Sequence, residues 1–385
     1  MPTAPMTVTA PSDNDVARPC ADDSLALRLC YVHCYRDPEF IRKQAQLDAL
    51  RRMPGVEVFL ACNRHRGMRR YLETLKALWD ARVFRPDVFV LGFRGHEIYW
   101  LVKLAARRRP LIFDALMSPS CALIEERKSG RLGTLLGRML MPLEARVLRN
   151  ADLVLTDTAA HAALYTSHFG VPARRILSLP VGAKQAAAKP DTSVGCRPLR
   201  VLFYGSFLPL HGVDVIVEAA ALLKDLALQF DFIGGNRRDQ RWLHRRCAEL
   251  GVRHYTYRSW VPYEDLLRHD IAHADICLGG PFGGTPQAQR VITTKTSQCL
   301  AQGKTTIVGA TQVDDGFWDH VNCLRVEQRN PAALADALRW CFEHPSQLAT
   351  IGRCGAQLYR ERLSVDAIVP PLNAALRRLI GEHRA

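Results

Sequence analysis

No stretch of this 385-residue chain approaches the ~18 consecutive uncharged apolar residues of a membrane-spanning helix. Residues 1–24, MPTAPMTVTAPSDNDVARPCADDS, lack the apolar centre of a secretory signal and read as a disordered leader. Carboxylates are in deficit: 38 Asp and Glu stand against 52 Lys and Arg, a formal net charge of +14. That balance suits an anionic partner, whether nucleic acid, lipid headgroups or a phosphorylated substrate. Nucleic acid is disfavoured, because no recognition-helix, RRM or zinc-finger pattern occurs and no stretch interleaves aromatic with basic residues. The twelve cysteines form no C-x-x-C pair, so the usual zinc and redox spacings are missing. Many lie in or beside apolar strands, as in VEVFLAC (56–62) and ADICLGG (274–280), and read as reduced, buried thiols. The chain is expected to be soluble and cytoplasmic, or peripheral to the inner face of a membrane.

What is present is alternation. LRLCYVHC (27–34), VEVFLAC, RPDVFVLGF (85–93), PLIFDAL (110–116), ADLVLTDT (151–158) and RILSLPVG (175–182) are short apolar runs separated by helical patterns. Such runs suit a parallel sheet covered on both faces. A polar, Ala- and Pro-rich stretch over 184–197 interrupts the pattern and reads as a linker. The alternation then resumes with LRVLFYGSF (199–207), LQFDFIGG (228–235), HYTYRSW (254–260), DICLGG (275–280) and TTIVGA (305–310). The expected architecture is α/β, with two doubly wound units in tandem, 25–183 and 198–385, facing each other across a cleft.

In such sheets ligands bind beyond the carboxyl ends of the strands. RVITTKTSQCLAQGK (290–304) is a loop followed by a helix start. Thr293 and Thr294 offer hydroxyls there, and Lys295 sits in the first turn. A cation is the wrong charge for the helix dipole but the right one for a phosphate. Arg290 is either a second contact or a solvated loop charge. Gln298 could reach ribose hydroxyls or be a buried, satisfied amide. Gly205 and Gly212 flank a strand-to-helix turn, and either present backbone amides to phosphate or simply keep the turn small. Ser206, His211, Gly235 and Val261 follow strands in the same way. On the other side, His96 and Glu97 follow VFVLGF, and Asp114 ends a strand. These three are the candidate catalytic groups, although Glu97 also suits a helix start and Asp114 a cap. In TDTAAH (156–161), Asp157 or Thr158 is expected to cap a helix. Glu126, Arg127 and Lys128 form a surface cluster that could meet an acceptor.

FYGSFLPLHGVDVIVEAAALL, SWVPYEDL, ADICLGG, TPQAQRVITTKTSQCLAQGK and LYRERLS together resemble the C-terminal half of family 4 (group 1) glycosyltransferases of GT-B fold. GFRGHE, FDAL, ERK and ADLVLTDTAAHAALYTSHFGVP resemble the N-terminal half of one subgroup. The resemblance implies transfer of a sugar from a nucleotide-sugar to a glycan or lipid-linked acceptor, usually retaining and without a metal or other cofactor. It implies surface-polysaccharide or glycolipid assembly as the setting. It also implies that the C-terminal unit holds the nucleotide and that the last helix returns to the N-terminal unit. The phosphate expected at Lys295 is then the donor's diphosphate. Two departures stand out. The family's E-x7-E positions hold Arg290 and Gln298, and the Arg and Lys that clasp the diphosphate in much of the family are replaced in a region containing Phe207 and His211. They leave open a non-catalytic homologue that binds nucleotide or a partner protein. A sugar-nucleotide epimerase fits less well, because the first half lacks the acid/base pattern expected of one.

In GRLGTLLGRMLMPLEARVLRN (130–150), Leu132, Leu135, Leu136, Met139, Leu140 and Leu143 mark an apolar stripe, with Arg131, Arg138 and Arg149 on another face. The stripe is expected to be core rather than membrane face, and Pro142 is expected to kink or split the helix. The basic residues nevertheless suit anionic lipid.

Overall fold

The computed structural model describes residues 26–37, 39–125, 130–183, 198–312 and 316–384. The expected leader, the linker and the Glu126–Lys128 cluster lie outside the described residues. Among the described residues twelve strands form two six-stranded parallel sheets. The first contains β1 (Leu27–His33), β2 (Val56–Cys62), β3 (Val88–Leu91), β4 (Leu111–Asp114), β5 (Leu153–Thr156) and β6 (Ile176–Ser178), in the order β2-β1-β3-β4-β5-β6. The second contains β7 (Leu199–Tyr204), β8 (Leu228–Ile233), β9 (Tyr255–Arg258), β10 (Ile276–Leu278), β11 (Thr305–Gly309) and β12 (Leu324–Val326), in the order β12-β11-β10-β7-β8-β9. Strands β3, β4, β5, β10 and β11 are buried along their whole length, which is why their sequences run apolar instead of alternating. In each sheet the winding reverses once, between β1 and β3 and between β7 and β10. Those two switch points are where a parallel sheet leaves a crevice.

Among the described residues thirteen α-helices cover the sheets. In the first unit these are α1 (Ile41–Arg51), α2 (Arg69–Phe84), α3 (Tyr99–Ala106), α4 (Pro119–Glu125), α5 (Gly130–Asn150) and α6 (Ala159–Phe169). The second unit carries α7 (Val213–Ala221), α8 (Arg237–Leu250), α9 (Tyr263–Asp265), α10 (Thr294–Ala301), α11 (Pro331–Glu343) and α12 (Pro345–Leu358), and α13 (Val365–Arg384) ends the chain. Local chemistry sets several boundaries. Asn236 and Asp239 form a reciprocal capping box on α8, Thr158 caps α6, and Asn330 with Pro331 starts α11. Helix α5 runs through Pro142 without a break.

The last helix does return to the first unit. Leu372, Leu376 and Leu379 of α13 share a core with Leu29 and Leu153, and Arg52 pairs with Asp366. The other face of the first sheet packs on α2, α3, α5 and α6 through Leu78, Tyr99, Val102, Leu148 and Tyr165.

Candidate functional site

The second unit's switch point holds a buried cation. Thr293 accepts from the amide of Thr296 and donates to the carbonyl of Gly279 at 2.7 Å, fixing the start of α10 against the end of β10. This places Lys295 in the crevice with 6% of its surface exposed. Its ammonium lies 5.6 Å from the centre of the Phe203 ring. No side chain among the described residues forms an ion pair or hydrogen bond with it. Burial without an anion pulls its pKa down to about 7. Thr294, beside it, is partly exposed and makes no side-chain hydrogen bond among the described residues.

Gly205 explains why there is space in front of that ammonium. Its φ of +130° is open to glycine alone, and a Cβ there would stand 3.6 Å from Lys295 Nζ and 3.7 Å from His211 Cε1. The expectation that Gly205 and Gly212 present free amides is corrected. Gly205 N donates to Ile233 O at 2.8 Å and Gly212 N to Pro209 O at 3.2 Å. Gly212 is needed for close approach, since a Cβ would come within 2.6 Å of the backbone at Phe282 and Gly283. His211 Nδ1 bonds the carbonyl of Ser206, holding the 206–211 loop closed on itself. Gly235 sits behind this loop, against Phe207 and Asp239.

Gln298 is also corrected as a direct ligand contact. It is 1% exposed, and its carbonyl oxygen accepts from the Tyr263 hydroxyl. It therefore braces the loop carrying Val261, which is half-buried over Leu266, Leu267 and Cys299. Arg290 is committed elsewhere as well: its guanidinium pairs with Glu125 of α4, and its carbonyl accepts from Thr158 Oγ1 at 2.6 Å. These two bonds tie the units together across the cleft.

Opposite lies an apolar cavity of about 730 Å³. Trp100, Leu123, Leu140 and Leu143 line it from the first unit, and Leu208, Leu210 and Gln287 from the second. The 206–211 loop thus separates the Lys295 crevice from the cavity and borders both. His96 lies in the cavity wall with its ring edge-on to Phe113 at 4.7 Å. Both ring nitrogens are buried without a hydrogen bond, and burial lowers the pKa to about 4, so the ring is neutral. Glu144 faces it at 3.8 Å, with one oxygen accepting from Ser120 N and the other unbonded. Burial raises the Glu144 pKa. Sequence reasoning missed Glu144. Its signal was a single carboxylate inside a leucine-rich helix.

Glu97 stands at the cavity rim, paired with Arg70 and Tyr71. Asp114 is corrected as a catalytic candidate. It is fully buried, and Arg42 Nε donates to both its oxygens at 2.9 Å. Arg42 also donates to Thr156 O and Leu179 O, so the pair locks the carboxyl ends of β4, β5 and β6. Among the described residues no three His, Cys, Asp or Glu side chains are grouped to hold a metal ion.

The profile described as Glycosyl transferase 4-like domain matches residues 15–182, and that described as Glycosyl transferases group 1 matches residues 198–344. A D-inositol 3-phosphate glycosyltransferase of Geodermatophilus obscurus is 26% identical over 252 residues, 60% of this chain and 54% of its own length. One from an Arthrobacter species is 24% identical over 268 residues, 63% of this chain and 60% of its own length. The aligned stretch thus spans little more than half of these curated relatives. Among solved structures, sucrose-phosphate synthase from Thermosynechococcus elongatus superposes with a TM-score of 0.70 at 14% identity, covering 92% of this chain and all of the other. HepE from Anabaena, solved with UDP and glucose, gives 0.64 at 15% identity, covering 91% and 100%. The likeness to these structures identifies the fold as GT-B. With two glycosyltransferase profiles matched in tandem over most of its length, the chain belongs to the family 4 (group 1) glycosyltransferases.

Proposed function

We propose that the protein transfers a sugar from a nucleoside-diphosphate sugar to an acceptor hydroxyl, with the donor's diphosphate at Lys295 and the acceptor in the apolar cavity. The carrying observation is the ammonium of Lys295, buried at a switch point with no acidic side chain paired to it among the described residues. A dianionic diphosphate in front of Gly205 supplies the missing charge. As the sugar–phosphate bond breaks, charge builds on the diphosphate, and an ammonium already in position stabilises it without reorganisation. The base and ribose would lie toward Val261, on the loop that Gln298 and Tyr263 brace. His96, neutral and unbonded, can take the acceptor proton, and Glu144 at 3.8 Å can steady the resulting imidazolium.

Retention at the anomeric carbon, independence of metals and a role in glycan or glycolipid assembly belong to the same proposal. They rest on family membership. The relatives' named activity and the UDP and glucose bound to HepE support a nucleotide-sugar donor.

Thermal-shift screening against UDP-, GDP-, dTDP- and ADP-sugars tests the reading. A matching donor at a hundredfold excess over its dissociation constant should add ~2.7 kcal/mol of stability. Lys295→Met should abolish that shift for the diphosphate while leaving weak nucleoside binding unchanged. Equal loss for nucleoside and diphosphate would remove Lys295 from the phosphate site. No shift with any donor would favour a non-catalytic homologue.

A further inference from the structure

Helix α5 is turned opposite to expectation. Its inward face carries Gly133, Gly137, Glu144, Ala145, Val147 and Leu148, and Gly137 lies against Ser120 and Ile124 of α4. The apolar stripe points outward, with Leu132 74% and Met139 65% exposed. Neighbouring helices on the same face of the sheet continue it through Trp100 and Leu104 of α3 and Trp79 and Val83 of α2. Among the described residues, all but four of the large exposed apolar side chains lie in the first unit.

This face is also basic. At 3.6 residues per turn, Arg131, Arg138 and Arg149 align along one edge of the α5 stripe. Arg146 reaches over the Trp100 ring at 5.3 Å and joins α5 to α3. Residues 26–183 hold 26 Lys and Arg against 14 Asp and Glu, so most of the net charge belongs to this unit. The stripe runs into the cavity: Trp100 and Leu143 are 47% and 62% exposed outside and line the cavity inside.

We propose that the α2–α3–α5 face docks on an anionic bilayer, and that the acceptor is a lipid drawn from it between Trp100 and Leu143 into the cavity. The second clause rests on the glycosyltransferase reading. An apolar stripe edged with arginines suits the boundary between headgroups and acyl chains, where apolar burial and headgroup charge add. A second copy of the chain suits it less, since two such faces would bring their arginine rows together. No helix among the described residues is long and apolar enough to span the bilayer, so contact is by this surface.

The test is co-sedimentation of the full chain with vesicles of phosphatidylglycerol and phosphatidylcholine, against phosphatidylcholine alone. The chain should sediment with the anionic vesicles and be released as salt rises. The triple variant Leu132→Gln, Leu136→Gln, Met139→Gln should partition at least about tenfold less. So should Arg131→Gln, Arg138→Gln, Arg149→Gln. Both variants should keep the wild-type thermal shift with the donor, which shows they are folded. A wild-type chain that stays in solution, sediments equally on neutral vesicles, or is matched by the triple variants overturns the docking face. So does a dimer in light scattering that the glutamines dissociate. Acyl-brominated lipid should quench tryptophan emission, and Trp100→Phe should remove part of that quenching. Unchanged quenching in Trp100→Phe overturns the passage into the cavity. Sedimentation without a thermal shift from any donor keeps the docking face and overturns the acceptor clause.

Discussion

Lys295 costs the free protein stability, and that cost is the clearest trace of its function. Burial lowers its pKa from 10.5 to about 7, while in the unfolded chain it titrates normally. Between those values the unfolded state binds more protons, so stability rises with pH across this window. The cost is present in full below pH 7 and relieved toward pH 10. Lys295→Met should therefore stabilise the free protein by roughly 1–3 kcal/mol below neutrality. The gain should shrink as pH rises, and denaturant melts at several pH values would show it. A variant less stable than wild type at pH 6 would mean that the ammonium has a partner. Diphosphate affinity should move the other way with pH, weakening above pH 7 by up to about tenfold per unit as the free ammonium is lost. The cation at a helix start was legible in sequence because it contradicts the dipole. The Arg42–Asp114 pair was not, because its partners lie 72 positions apart and no local pattern links them.

Elements were legible where their burial was uniform. The β3, β4, β5, β10 and β11 runs are apolar throughout because both faces are covered, and the sequence reads them directly. Strand β12, three residues long, has no such signature. Helix α5 was legible as amphipathic, but its orientation was not. Periodicity reports that two faces differ, and it takes the apolar one for core. Here close approach decides. A Cβ on Gly137 would stand 2.7 Å from Ile124 Cγ1 and 2.8 Å from the carbonyl of Ser120. The side chain of Ile124 can move, but the backbone of Ser120 cannot move cheaply. Gly137→Val should destabilise the first unit by about 1–3 kcal/mol through overpacking. That outweighs the fraction of ~1 kcal/mol that removing a helical glycine returns. Urea unfolding of the variant checks the sign. A more stable variant would mean that α4 and α5 are not held at this distance.

At the scale of the whole molecule, the two units meet through α13 and through the strap at Arg290. The strap joins the second unit's 285–292 segment to the first unit by the Arg290–Glu125 ion pair and the Thr158 hydroxyl on the Arg290 carbonyl. Both charged groups of the pair are about five-sixths buried, so removing one leaves the other poorly solvated. Arg290 Nε has no partner even with the pair formed, which makes the guanidinium more dependent on Glu125. Glu125→Gln should lower the free energy of local opening by about 1–2 kcal/mol, and amide exchange over 285–292 should quicken roughly five- to thirtyfold. Arg290→Gln should do the same. The double variant should be little worse than either single one, since both remove one interaction. The strap reading fails if exchange over 285–292 is unchanged in Glu125→Gln, or if the two effects add in full. The 206–211 loop lies between the Lys295 crevice and the cavity, so the distance from leaving group to acceptor depends on how the units are held. Loosening the strap should therefore lower turnover more than donor affinity, because Lys295 and its crevice belong to the second unit alone.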